Sequence, residues 1–326
     1  MNDQPILDGI SDEIHDIVHA AVPGALSRRA AVKRTAGLGA GTVAALALGS
    51  VPVALAALSR EAGAQTTSTV RQVLEFAFLL ENLESEFYKA VLGTSASAAV
   101  NNAFAPVRAQ ISALAEPTRT AVLNTFNLIS AHEIAHVNLL RTALGANAGN
   151  PMNGTMFDFT GGRNPNTSNG PFLPATTNLA VALAATQAFE DTGVRAYKGQ
   201  APNLIRTSTL QTALQIHAME ARHAARIRRI RRAADPNNTA LRYSGTVRGG
   251  GAAAAGAPAG TPANLVPAFE AIYGGGTSEG NVTQAGVNVT GLGGTSANAA
   301  GEAFDEVLTR AEVVAIVQPF VVATIS

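Results

Sequence analysis

The sequence predicts an all-α protein: a four-helix bundle with a long crossover between its second and third helices, followed by an irregular Gly-rich extension ending in a short helix. Three observations predict it. Four long stretches repeat apolar residues at helical spacing. The second and third are separated by 33 residues rich in Asn, Gly and Pro, from Gly145 to Thr177, whereas antiparallel neighbours need only about 2–8. Much of the 47% hydrophobic content is Ala, aromatics amount to 5% and Trp is absent, a balance that favours helices over sheets.

The first helix is expected from Thr69 to Leu92. Thr69-Val70-Arg71-Gln72 reads as a capping box, and Leu74, Phe78, Glu81, Ser85 and Tyr88 recur on one face before Gly93. The second runs from Pro117, suited to a first turn, through Val122, Phe126, Ile129, Glu133, His136 and Leu140 to Gly145, a natural C-cap. The third spans about Asn178 to Tyr197, carries Leu183, Glu190 and Val194, and stops at Gly199 and Pro202. The fourth opens on the capping box Ser208-Thr209-Leu210-Gln211 and ends in a basic run before Asp235-Pro236. A short extra helix is expected within residues 98 to 114. Between Gly249 and Gly301 fall 14 of the 31 glycines, which reads as linker and irregular loop with a short helix near Val266 to Tyr273. Thr309-Arg310-Ala311-Glu312 caps a last helix whose Val313, Val314, Ile316 and Val317 are expected to pack on the bundle.

Ahead of these elements, Ser27-Arg28-Arg29-Ala30-Ala31-Val32-Lys33 resembles a twin-arginine export signal, with Ala31 in place of the usual aromatic or Leu. An uncharged run of 25 residues, Thr35 to Ser59, leads to the small-residue site Ala62-Gly63-Ala64. A membrane anchor is the rival reading, since about 20 apolar residues span a bilayer. The glycines, Pro52 and the adjacent cleavage site favour removal, leaving a periplasmic or extracellular protein with no stable membrane anchor. The expected organisation is a leader over 1–64, the bundle over 65–235 and the extension over 236–326.

The 326 residues carry 23 basic and 23 acidic side chains, so the formal charge is zero and nucleic acid is not an expected partner. The absence of Cys excludes disulfides, thiolate metal sites and thiol nucleophiles. Any metal must rest on His and carboxylates.

Those residues are concentrated. Glu133 with His136 and Glu220 with His223 form two Glu-x-x-His units, and residues three apart share a helical face, so each unit offers a carboxylate and an imidazole to one side. Random placement of these residue types would give about 0.2 such pairs. The other two helices each carry Glu followed seven positions later by Tyr: Glu81 with Tyr88, and Glu190 with Tyr197. Two turns along the axis, each Tyr is too far from its own Glu to share a metal and is placed to hydrogen-bond a carboxylate of another helix. One Glu from each of two helices and Glu-x-x-His from each of the others is the ligand set of di-iron and di-manganese bundles.

The runs "EFAFLLENLESEFY", "SAHEIAHVNLL", "FEDTGVRAYKGQAP" and "IHAMEARHAARIRRIR" resemble the exported ferritin-like domain family that includes desiccation-related proteins. The resemblance covers about Thr69 to Ala234, and "AFDEVLTRAEVVAIVQPF" near the end is similar to members of that family too. It implies a ferritin-like bundle, an extracytoplasmic address and a role in stress or desiccation tolerance.

The candidate metal ligands are therefore Glu81, Glu133, His136, Glu190, Glu220 and His223, holding two ions of iron or manganese, with Glu133 and Glu220 as bridges. Glu84 is the alternative to Glu81 on the first helix. His132 and His217 are expected beside the ligands rather than among them, and Tyr88 and Tyr197 near the site. The basic stripe from Arg222 to Arg232 reads as a solvated helix end. Three functions compete: an oxidoreductase acting on O2 or peroxide, a metal-binding protein without turnover, and a structural stress protein. The sequence leaves the oligomeric state open.

Overall fold

In the computed structural model the described residues are 69–149, 152–163, 169–234, 269, 272–273, 281–294, 296, 300 and 303–325. The leader read over 1–64 lies outside them. Helix α1 is Thr69–Leu92, α2 Ala98–Ala103, α3 Ala105–Ala113, α4 Thr118–Leu144, α5 Pro174–Thr177, α6 Leu179–Gln200, α7 Thr209–Ala234 and α8 Arg310–Val317. The only strands among the described residues are β1, Thr283–Gln284, and β2, Val287–Asn288, an antiparallel two-residue pair. Among the same residues no helix is long and apolar enough to cross a membrane.

The long helices start and stop where their residues dictate. Pro117 sits at the N-cap of α4, and Gly145 takes a positive φ of 56° at its end, a conformation glycine adopts without a Cβ clash. Asn178 caps α6, its side chain accepting from the backbone N–H of Ala180 and Val181. Contrary to expectation, α6 continues through Gly199 to Gln200. Gly199 serves closeness rather than termination: a Cβ there would lie 1.8 Å from the Leu308 carbonyl oxygen, so only glycine lets the C-terminal segment touch the helix. Thr309 and Glu312 form the reciprocal capping box expected for α8.

α1 packs chiefly on α4, and α6 on α7. One apolar cluster joins the start of α1 (Val70, Leu74, Phe78) to the end of α4 (Val137, Leu140), the end of α6 (Tyr197) and the start of α7 (Ala213, Ile216). The ends meeting there show that α4 and α6 run parallel, so the chain between them must travel the length of the bundle. That is the physical reason for the long crossover.

The opposite end is closed by aromatic rings. Phe87 of α1 meets Phe104, Phe159 of the crossover and Phe189 of α6 edge to face at 5.4, 5.3 and 5.1 Å, the arrangement aromatic quadrupoles prefer. Phe320, just after α8, joins Phe189 and Phe172. Crossover and C-terminal segment pair as short extended chains, the Asp158 N–H donating to the Phe320 carbonyl and the Val322 N–H to that of Met156. Phe269, Ile272 and Tyr273 are buried in the same core. All three fall in the short helix expected near Val266 to Tyr273 and are helical, and they help complete a core the four helices leave open; residues 249–268 lie outside the described ones. Between the two apolar ends lies the polar middle of the bundle.

Candidate metal centre

Each long helix contributes one fully buried glutamate to this middle layer: Glu81 from α1, Glu133 from α4, Glu190 from α6 and Glu220 from α7. The i, i+3 spacing brings His136 and His223 to the same level. Two groups of ligand atoms result, each within 4.8 Å: Glu81, Glu133, His136 and Glu220 in one, and Glu133, Glu190, Glu220 and His223 in the other. All six side chains singled out from the sequence are together, and Glu133 and Glu220 are common to both groups.

His136 Nδ1 lies 2.9 Å from Glu81 Oε2, 3.2 Å from Glu133 Oε2 and 3.5 Å from Glu220 Oε1. On the other side, His223 Nδ1 lies 2.8 Å from Glu133 Oε1, 3.2 Å from Glu190 Oε2 and 3.9 Å from Glu220 Oε1. The tyrosines cross between helices as their spacing requires. Tyr88 on α1 donates to Glu190 Oε1 on α6, and Tyr197 on α6 donates to Glu81 Oε1 on α1 at 2.5 Å.

Five carboxyl groups share this interior, because Glu84 is buried as well. Glu84 stands in neither ligand group. Its Oε1 and Glu220 Oε2 approach Gly193, where a Cβ would meet them at 3.2 and 3.0 Å, so the missing side chain of Gly193 makes room for two carboxyl groups. Burial first, and then the neighbouring charges of Glu81, Glu190 and Glu133, push the Glu84 carboxyl well above the usual range. Burial and like charge do the same to Glu133 and Glu220. Glu81 goes the other way: burial opposes its charge, but the His136 imidazole and the Tyr197 hydroxyl outweigh it. Burial lowers His223, yet the Glu133 and Glu190 hydrogen bonds win and raise it to about 9. Without metal, protons hold the layer together.

Within this layer both oxygens of Glu220 lack a hydrogen-bond donor, and Glu133 Oε1 has only the His223 Nδ1 contact at 2.8 Å. They belong to the two carboxylates shared by both groups, where bridging ligands of a metal pair would sit. Once ionised, such carboxylates are costly to bury without a positive partner, and divalent cations would supply one to all three oxygens. Oxygen donors with one imidazole per group suit iron or manganese.

The remaining histidines separate. His132 Nδ1 meets His223 Nε2 at 2.9 Å with the rings stacked, so it supports the far side of that imidazole. His217 Nδ1 faces the Val194 carbonyl at 3.1 Å and stands in neither group. One arrangement was not expected from sequence. Beside Glu190, Asp191 accepts from Gln187, Tyr273 and Arg228, while fully buried Arg195 donates to the Asp191 and Ile272 carbonyls. Its visible trace is the Asp191/Arg195 i, i+4 pair within an apolar helix, a spacing that pairs charges on one face. The Arg222 to Arg232 stripe also divides, since Arg228 is engaged with Asp191 and Arg231 with Gln187.

A family model described as ferritin-like domain matches residues 69–233. No curated protein and no solved structure matches the chain. The matched span runs from the first turn of α1 to the last of α7, half of the whole sequence and all four helices that bear the candidate ligands, and the chain belongs to the ferritin-like domain family.

Proposed function

We propose that this is an exported di-metal oxidoreductase, binding iron or manganese and consuming peroxide or oxidising ferrous ion in protection against oxidative or drying stress. One observation carries the reading: the layer's buried oxygens poorest in hydrogen-bond donors lie on Glu133 and Glu220, the two carboxylates common to both ligand groups. Glu81 and His136 would complete one metal's set, Glu190 and His223 the other's. A bound metal pair supplies the electrons that O2 or peroxide accepts.

The chain's own residues do the rest. Tyr88 and Tyr197 fix one oxygen of Glu190 and Glu81, so each carboxylate keeps its other oxygen toward the imidazole. His132 sets the ring plane of His223. Burial of all four glutamates excludes bulk water, which preserves the strength of every electrostatic contact in the layer. The leader supports export, and the resemblance to desiccation-related proteins supports the stress setting.

Metal analysis of protein from its native exported pool, followed by peroxide and ferrous-oxidation assays, tests the reading. About two metal equivalents with turnover is the expected result. Two metals without turnover would reduce the function to sequestration, and metal-free protein would leave a structural role. Export is tested separately: Arg28→Lys with Arg29→Lys should hold the precursor in the cytoplasm, and undiminished export would remove that part.

A further inference from the structure

Of the six candidate ligands, His136 comes nearest the surface: it is 12% exposed, against 3% for His223 and none for the four glutamates. Helix geometry fixes what surrounds it. On α4, at about 100° per residue, His132 and His136 turn about 100° and 60° from Glu133, to the side away from Arg141, which lies over Phe78 of α1. Both therefore face α7. On α7, Met219, Arg222 and Arg226 turn about 40°, 100° and 60° from His223 to one side, and His217, Arg228 and Arg231, which meet α6, turn to the other. Met219, Arg222 and Arg226 thus lie on the α4 side.

The two helices are antiparallel and His132 meets His223 at 2.9 Å, so one turn further along α4, His136 is level with Met219. Arg222 folds back to that level, its Nη2 lying 3.5 Å from Met219 Sδ. Arg226 stands one turn beyond His223 in the other direction. Both guanidinium charges reach the seam: burial first, then His223, His136, Arg226 and Arg222, hold the His132 imidazole below its usual value. No carboxylate of these helices offsets them, because the only acids on α4 and α7 are Glu133 and Glu220, both fully buried in the layer. A cationic rim therefore surrounds the exposed edge of His136, above an interior that holds five buried carboxyl groups.

We propose that the α4/α7 seam is the mouth of the metal layer and that Arg222 and Arg226 make it discriminate by charge, admitting peroxide and small monoanions and opposing divalent cations. The proposal rests on the di-metal reading above and narrows it: peroxide is the substrate, and ferrous ion is not. A site that takes up ferrous ion at every turnover needs an acidic approach, since unlike charge at a rim raises the local concentration of the incoming ion and like charge lowers it. Neutral peroxide is indifferent to the rim. Electrons then balance within the substrate: one H2O2 takes two electrons and two protons to become two waters, and a second gives up the same to become O2.

Manganese uptake by the metal-free protein, followed as loss of the free ion's paramagnetic resonance signal, reads the mouth without turnover. Uptake should be slow at low salt and faster as salt screens the rim. Arg222→Gln with Arg226→Gln should speed it about 10-fold at low salt and flatten the salt dependence, with two ions still bound at the end. Arg71→Gln, which removes a cation from α1, should leave the rate as it is. Azide, a small monoanion, should bind the metal-loaded double variant about 10-fold more weakly than the parent, read from its infrared stretch. Uptake indifferent to salt and to the double variant, with two ions bound, would overturn the mouth and leave the di-metal reading standing. Equal acceleration by Arg71→Gln would overturn it as well, as an effect of net charge alone. Protein that takes up no metal at any salt concentration would remove the di-metal reading, and the mouth with it.

Discussion

The α1/α4 half and the α6/α7 half of the bundle follow one plan, Glu-x6-Tyr then Glu-x-x-His, yet the two imidazoles they supply are housed differently. His223 is almost fully enclosed, and its outer nitrogen meets His132. His136 is 12% exposed at the seam between α4 and α7. Equal candidate ligand sets on unequal supports teach that, with an ion in each group as proposed, the two positions should differ in hold. The His223 position has a second imidazole behind it, and the His136 position opens toward solvent.

The largest effect should come from the carboxylates that the halves share. Glu133→Ala or Glu220→Ala should remove most of both metals, because each serves both groups. Unequal loss, one metal kept in full, would show that the half-sites do not share that residue. Next come the imidazoles. His136→Ala should lose the more exchangeable ion and retain the other, whereas His223→Ala should do the reverse. His132→Ala should weaken the His223 position alone, by about 10–100-fold, the usual consequence of removing a ligand's hydrogen-bond partner. If it weakened both positions equally, the proposed asymmetry would fail. Tyr88→Phe and Tyr197→Phe should each cost about 1–3 kcal/mol of stability, seen as a lower unfolding midpoint, since each removes a buried hydrogen bond to a carboxylate.

The smallest effect lies outside the layer. Burial, followed by the charge of Asp305, raises Glu306 to about 7, above the 4.5 of the unfolded chain. A carboxyl whose folded value is raised favours the protonated state on folding. Its stabilisation is therefore present in acid and lost as pH rises from about 4.5 through 7. Proteolysis of the segment from Ala303 onward should be faster at pH 8 than at pH 5, and Glu306→Gln should flatten that difference.

Much of this arrangement was legible because helices are periodic. Glu133 with His136, Glu220 with His223, and the seven-residue Glu–Tyr spacings each fix a face and a level along one axis, and four such faces can meet in one way. The tyrosine crossings followed from the same arithmetic. What stayed hidden depends on contacts between residues far apart in the chain. Gly199 reads as a helix stop until Leu308 is seen against it. Glu84 is one turn from Glu81 and buried too, and the neighbours of each carboxyl distinguish them. The short helix near Val266 to Tyr273 is legible from Phe269, Ile272 and Tyr273 at i, i+3 and i+4, but their place in the bundle's core depends on contacts distant in the chain. Neutral composition likewise conceals the selective burial of acids, nine of them among the described residues.

Equilibrium titration of metal-free protein with manganese or ferrous ion under anaerobic conditions, read as bound equivalents, tests the paired site most directly. Two ions per chain are expected, falling close to zero in both Glu133→Ala and Glu220→Ala, with circular dichroism showing the helices intact. Two ions retained in either variant, or a single ion in the parent chain, would contradict it.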